Sequence, residues 1–398
     1  MKVYQTTNVY EEALKRIDMI FDDFNGNVVI SFSGGKDSTV ILELSLIIVR
    51  QRIERGLLSE DYKLRVFFLD QESEWTKTVL YCRDVFNRVE IDPYWYQFNF
   101  LLASSASMSE NFLNCWEEGK EWLRDKEFNS IWNLPEYLLP YNRFVDLMIL
   151  CGQDIFKDLN GKFAVIVGYK SNESLARKMT LTTKCVYRDI TWSFTACHND
   201  TKKIYGREME GYRFAPIWDW QDDDVWTAIG KNGWKYNDVY NDFFRLGQHP
   251  RKMRVSSLIH QTSAEHSLIA LQEIDPELYD KMSSRMMGVS TYSKLMENIR
   301  VHQLPSAFSS WKEFALYLIE NLLVGEKNKE IILRNFSSKL YLEYPYKDEF
   351  DKEICNRILA NDFTGCKLGN IMVRLKKNHN ISKGIYDEKY TIAVEGDK

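Results

Sequence analysis

The chain has 398 residues, 44% of them hydrophobic and 14% aromatic, with a formal net charge of -5 at pH 7. That size supports a large core in two or three structural units, and the acidic balance excludes a chain that gathers nucleic acid through bulk charge. No apolar run is long enough to span a bilayer, Met1-Lys2-Val3-Tyr4-Gln5 lacks a signal-peptide layout, and the seven scattered cysteines include no Cys-x-x-Cys pair. A cytoplasmic protein with free thiols is therefore expected, with no membrane association and no disulfide framework or zinc ribbon.

The first predicted element is an amphipathic helix. Asn8 is placed to cap it, Glu11 follows three residues on, and Ala13, Ile17, Ile20, Phe21 and Phe24 recur at helical spacing before Gly26. Val28 to Phe32 reads as a buried strand, Ser33-Gly34-Gly35 as a tight turn, and Ser38 to Arg50 as an apolar helix. A second strand, Leu64 to Leu69, ends on Asp70-Gln71-Glu72. A helix around Thr78 to Phe86 leads to a third strand near Val89 to Phe98, which Pro93 weakens. Phe163 to Val167 is a fourth strand, ending at Gly168; Arg213 to Ile217 is a fifth, before a helix capped near Asp222. Strands alternating with helices predict an α/β fold on a parallel sheet with right-handed crossovers.

Residues 100–160, rich in Trp, Glu, Lys and Leu, interrupt this rhythm and are expected as a helical insertion. Trp116, Glu117, Glu118, Lys120, Trp122, Arg124 and Lys126 make it either a packing module or a lid over an acceptor. Helices are expected at Ala264 to Glu273, Pro276 to Met287 and Trp311 to Leu323. The expected division is an α/β domain over 1–255 and a mostly helical region over 256–398.

The most informative residues are Ser33-Gly34-Gly35-Lys36-Asp37-Ser38. A turn between a buried strand and a helix aims backbone N–H groups and the positive helix end at an anion. Glycines admit close approach of phosphate oxygens. Ser33 and Ser38 add hydroxyls, Lys36 neutralises charge, and Asp37 can orient Mg2+ or its waters. The loop is not a Walker A sequence, because Asp37 stands where that pattern needs Ser or Thr. An ordinary glycine turn would leave its lysine, aspartate and serines unexplained.

This string resembles the PP-loop of N-type ATP pyrophosphatases, whose signature is Ser-Gly-Gly-x-Asp-Ser. Gly168-Tyr169-Lys170-Ser171-Asn172-Glu173-Ser174-Leu175-Ala176-Arg177 resembles the Gly-x-Arg-x-x-Glu-Ser-x-x-Arg motif of the phosphoadenosine phosphosulfate reductase branch, with Lys170 in place of arginine. Lysine there forgoes bidentate phosphate contact. Ala215 to Trp226 looks like that branch's Pro-Ile-x-x-Trp-x-x-x-Asp-Val-Trp segment, in which Asp222 would cap a helix and Trp218 or Asp219 could touch ligand. The order of Ala264-Glu265-His266, Pro276-Glu277-Leu278 and Arg285-Met286-Met287-Gly288 is similar to a subgroup of the family. The resemblance implies an adenine nucleotide alpha hydrolase-like, Rossmann-like core that binds ATP and Mg2+. Lys170 and Arg177 would place cations over the triphosphate, with Glu173 fixing one of them and Gly168 opening that loop. The reductases' Glu-Cys-Gly-x-His context and paired cluster cysteines are missing, so sulfate reduction is doubtful and no iron–sulfur cluster is expected. Cys366 and Cys197 are expected as structural thiols.

Asp70, Glu72 and Glu74 follow the carboxyl end of the second strand, which in a parallel sheet faces the ligand crevice. Asp70 and Glu72 are candidates for Mg2+ or ribose contact, Glu74 less so, and Phe68 and Leu69 could flank adenine. The expected reaction is attack on the α-phosphate with pyrophosphate leaving. Lys36, Asp37, Lys170 and Arg177 serve it, and a substrate oxygen or water is the nucleophile, giving an adenylate of an unknown acceptor or AMP. Two other readings stand beside it. One is a non-catalytic adenine-nucleotide sensor regulating a partner protein. The other is a component of nucleic-acid modification, guided by basic clusters at Arg245, His249, Arg251, Lys252 and Arg254 or at Lys367, Arg374, Lys376 and Lys377, which otherwise are solvated faces.

Overall fold

The computed structural model describes residues 7–359 except 105, 108, 109, 111, 174–176, 180, 182–185, 251, 252, 256, 257, 260–263, 291–300, 324 and 325. Ser174, Leu175 and Ala176 of the second motif, Arg251 and Lys252, the cluster from Lys367 to Lys377, and Cys185 and Cys366 lie outside the described residues.

Helix α1 spans Val9–Asp23 and begins as its sequence dictates: the Asn8 side chain accepts the Glu11 N–H at 2.9 Å, a cap that contributes about 1 kcal/mol. Ala13, Ile17, Ile20 and Phe21 are its buried face. Strand β1 is Val28–Ser31 and leads into α2, Lys36–Glu54; β2 is Leu64–Leu69, α3 is Thr76–Phe86 and β3 is Ile91–Tyr96. Two short strands, β4 (Phe100–Ala103) and β5 (Phe112–Cys115), pair with each other. Helix α4, Phe144–Asp154, precedes β6, Lys162–Ile166; β7 is Ser193–Thr195 and β8 is Glu210–Phe214.

The main sheet has the order β3-β2-β1-β6-β8-β7. Its pairs are parallel except β7–β8, which is antiparallel. The fold is thus the expected α/β class with a mostly parallel sheet. Val28, Val29 and Ile30 of β1 are fully buried, each such side chain adding roughly 1.5–3 kcal/mol of apolar burial. Pro93 is tolerated because β3 is an edge strand and needs no donor toward solvent. Strand β7 escapes a sequence reading because three residues carry too little periodicity to register. The chain order reverses beside β1: β2 and β3 lie on one side, β6 and β8 on the other. Ligands of open α/β sheets bind at that switch point, outside the carboxyl ends of the strands.

The stretch 100–160 is not the helical insertion expected. Besides β4 and β5 it holds a single turn of 3-10 helix, Glu136–Leu138, and one α-helix, α4, among the described residues. Gly119, at φ 78°, and Pro135 and Pro140 interrupt the pattern that Trp, Glu, Lys and Leu suggested.

The chain divides into two units, one of Met1–Leu102, Asn114–Leu258 and Ala270–Lys281, the other of Ala103–Leu113, Ile259–Ile269 and Met282–Lys398. The first holds the main sheet. In the second, helices Trp311–Leu322, Glu326–Ser337, Lys339–Glu343 and Lys347–Leu359 gather Phe314, Leu318, Ile332, Tyr341, Phe350 and Ile354 into a core of their own. Among the described residues beyond 255 the elements are helices, with Ala264–Ile274 and Pro276–Arg285 close to their expected bounds.

Candidate functional site

The turn after β1 and the turn after β6 meet at the switch point. Gly34 has φ 67°, and a Cβ there would lie 2.8 Å from Thr78 Cγ2, so a side chain is excluded both by backbone and by space. Gly35 caps α2 in extended conformation. The hydroxyls of Ser33 and Ser38 lie 3.1 Å apart, and Ser38 donates to the Gly35 carbonyl at 2.9 Å. Asn237 stiffens the turn by donating to the Gly34 carbonyl at 3.1 Å and to Thr78 Oγ1 at 2.7 Å.

Two lysines and two aspartates form a ring at the start of α2. Lys170 Nζ lies 2.6 Å from Asp37 Oδ1 and 2.7 Å from Asp222 Oδ1. Lys36 Nζ lies 3.3 Å from Asp37 Oδ2 and 3.4 Å from Asp222 Oδ1. Lys36 is 6% exposed and Lys170 0%; ammonium groups so buried persist only when paired. Asp222 is the first residue of the helix Asp222–Asn232. Burial pushes its carboxyl up, but the Lys170 hydrogen bond and the charges of Lys170 and Lys36 outweigh this and hold it below the ordinary value. The Lys36 N–H, which opens α2, donates to Tyr240 Oη at 3.0 Å. Tyr240 lies on the helix Val239–Arg245, and burial first and then the Asp37 charge push its phenol far up, so it stays neutral.

The second motif wraps this ring. Lys170 N donates to Glu173 Oε1 at 3.0 Å, Glu173 also pairs with Arg177, and the Arg177 guanidinium sits 4.5 Å from the Tyr169 ring centroid. Ser171 N donates to the Trp218 carbonyl at 2.8 Å, tying the second motif to the third.

The structure therefore brings Ser33, Gly34, Gly35, Lys36, Asp37, Ser38, Gly168, Lys170, Glu173 and Arg177 into one neighbourhood. It places the other candidates differently. Both Asp70 oxygens are engaged: Oδ2 accepts from Trp95 Nε1 and Gln97 Nε2, each at 2.8 Å, and Oδ1 accepts from Glu72 N at 3.0 Å and pairs with Arg124. The Glu72 oxygens accept from Trp116 N at 2.5 Å and Leu123 N at 2.8 Å. These two carboxylates anchor the 116–124 segment and lack the open oxygens a magnesium ion requires. Asp37 and Asp222 instead face the two ammonium groups at the loop. Phe68 is buried edge-on against Trp95, their centroids 5.6 Å apart, and Leu69 is buried beside it. Asp219 is taken by Arg16 of α1 through two contacts of 2.7 and 2.8 Å.

Asp222 is corrected as well. It is not the helix cap, which is Gln221, whose N–H goes to Asp224 at 2.7 Å. Nothing in the run Asp222-Asp223-Asp224 marks which carboxylate faces inward, and Tyr240 and Asn237 lie outside every motif, so sequence reading misses all three as site residues. Among the described thiols, burial raises Cys82, Cys151 and Cys197, and raises Cys355 to about 12. That is the opposite of what a redox thiolate needs.

Residues 27–251, more than half of the chain, match the family model described as the phosphoadenosine phosphosulfate reductase domain. The Escherichia coli (strain K12) protein YbdN is 24% identical over 392 residues, covering 91% of this chain and 90% of that protein. Among solved structures, FMN adenylyltransferase from Candida glabrata, in complex with FMN and the ATP analog AMPCPP, is similar at a TM-score of 0.35 and 12% identity. That match covers 61% of this chain and 64% of the other, so the chain spans just under two thirds of that enzyme's length. The phosphoadenylyl-sulfate reductase from Candida auris matches at a TM-score of 0.27 and 12% identity, over 61% of this chain and 93% of that one. No helix among the described residues is long and apolar enough to cross a membrane.

Proposed function

Because the chain belongs to the phosphoadenosine phosphosulfate reductase domain family, we propose that it is a PP-loop ATP pyrophosphatase, cleaving ATP between the α- and β-phosphates with Mg2+. The carrying observation is the convergence of two buried lysines, Lys36 and Lys170, on one carboxylate pair at the amino end of α2. That arrangement suits a polyanion, since backbone donors, the helix end and two ammonium groups share one focus.

In the proposed reaction an oxygen nucleophile, from an acceptor or from water, attacks the α-phosphorus. The bond to the bridging oxygen breaks, and pyrophosphate leaves with that electron pair. The loop N–H groups and Lys36 hold the departing charge, and Lys170 and Arg177 steady the phosphate beside it. Mg2+ would be held by Asp37 with Asp222 and would neutralise phosphate charge. Val255 and Tyr240 pack beside Gly35, and Tyr240 accepts the Lys36 N–H. Burial moves Cys82, Cys151, Cys197 and Cys355 away from the thiolate, so none of these four supports a reductase reading.

The test is incubation with α-labelled ATP and Mg2+. AMP, or an adenylate, together with stoichiometric pyrophosphate is expected. Lys36→Ala and Asp37→Ala should abolish the release while the circular dichroism spectrum is kept; undiminished release in either variant ends the proposal.

A further inference from the structure

Asp222 occupies the ring for a reason that helix formation does not supply. The start of its helix is closed by Asp224, which accepts the Gln221 N–H at 2.7 Å. Asp222 instead gives one oxygen, Oδ1, to both lysines, 2.7 Å from Lys170 Nζ and 3.4 Å from Lys36 Nζ. Among the described residues, the carboxylates paired with these two ammonium groups are Asp37 and Asp222 alone. Asp37 belongs to the loop; Asp222 reaches it from a separate element.

We propose that Asp222 seats both lysines, competes with polyphosphate for them, and thereby couples phosphate binding to a divalent cation. This rests on the reading of the loop as a phosphate site. A polyphosphate that takes both lysines leaves two partly buried carboxylates beside its own negative oxygens. Like charges at such separations in a low-dielectric setting oppose binding. A divalent cation arriving with the phosphate relieves both repulsions at once. Without one, Asp222 acts as a resident anion that the ligand must displace.

The experiment is calorimetric titration of the full chain with inorganic pyrophosphate, in EDTA and in Mg2+. The unaltered chain should bind about tenfold or more tightly with Mg2+ than in EDTA. Asp222→Asn, which keeps shape and removes charge, should bind metal-free pyrophosphate about tenfold more tightly than the unaltered chain and lose most of the Mg2+ enhancement. Asp222→Glu should restore the enhancement. Asp224→Ala, which loosens the same helix start, should lower Tm and leave the ratio of the two affinities alone. If Asp222→Asn does not fold, Asp222→Ser serves the same comparison. Weaker metal-free binding in the neutral variant, or an unchanged Mg2+ ratio, overturns the role of Asp222 while leaving the phosphate site standing. No pyrophosphate binding by the unaltered chain under either condition overturns the phosphate site, and this proposal with it.

Discussion

Gly168 lies against the peptide of Asp37: a Cβ at position 168 would stand 2.9 Å from the Asp37 carbonyl carbon and 3.0 Å from its oxygen. The turn after β6 therefore touches the first turn of α2 through bare backbone. Neither side can rotate away, since the obstructing atoms are main chain. Gly168→Ala is expected to cost about 1–3 kcal/mol and to weaken nucleotide binding, because the clash pushes on the residue that carries the loop carboxylate. Gly230→Ala is the control. A methyl group added to that glycine would meet nothing within 4 Å, and the residue sits in the helix Asp222–Asn232, so alanine should stabilise by roughly 0.5–1 kcal/mol. Thermal unfolding of the two variants checks both signs.

Lys170→Ala removes the ammonium that lies between Asp37 and Asp222. Breaking a buried ion pair by deleting one partner costs about 3–5 kcal/mol, and AMP formation should fall by roughly 10²–10³-fold, as for loss of one preorganised charge-stabilising donor. Denaturant titration and the labelled-ATP assay read the two effects separately. Retention of activity with lost stability would confine Lys170 to the scaffold.

Tyr240→Phe leaves the Lys36 N–H without its acceptor. In the nucleotide-free protein this orphaned donor should cost about 1–3 kcal/mol. If the same N–H turns to a phosphate oxygen when ATP binds, saturating ATP should narrow the Tm gap between variant and parent. A gap that stays constant on addition of ATP would mean the donor does not serve the ligand.

Glu74 offers a pH test away from the ring. It is 2% exposed, and burial first and then the Asp70 charge push its carboxyl well above the ordinary value, with Arg124 pulling the other way. A carboxyl raised on folding costs nothing below its unfolded value, near pH 4. Its cost grows as pH rises from there toward the folded value, because only the unfolded chain ionises freely. Glu74→Gln should thus match the parent near pH 4 and exceed it at pH 7 by about 1–3 kcal/mol. Stability curves at the two pH values check the sign; a gain that is larger at pH 4 would contradict it.

Much of this site is legible in the sequence because its chemistry is local. Ser33 to Ser38 are consecutive, and the strand before them and helix after them declare themselves by hydrophobic pattern. Gly168, Lys170, Glu173 and Arg177 follow a second strand in the same way. Asp70 and Glu72 show the limit. Their position after β2 is plain from the pattern, but their partners come from β3, the stretch just after it, and the 116–124 segment, and only tertiary contact reveals that Trp95, Gln97, Trp116 and Leu123 use up their oxygens. Asp222 and Tyr240 approach from more than 180 residues along the chain, with no periodicity to announce them. The insertion misleads for another reason: composition favours helix, while Gly119 and two prolines break it.

The ring of Lys36, Lys170, Asp37 and Asp222 sums to no net charge, on a chain whose overall formal charge is -5. Such a mouth projects little field into solvent, so incoming nucleotide is not drawn from a distance as it would be by an open basic cleft. Capture is decided at contact: with no basic field at the loop, association should not speed up as ionic strength is lowered, as it would at an open basic cleft.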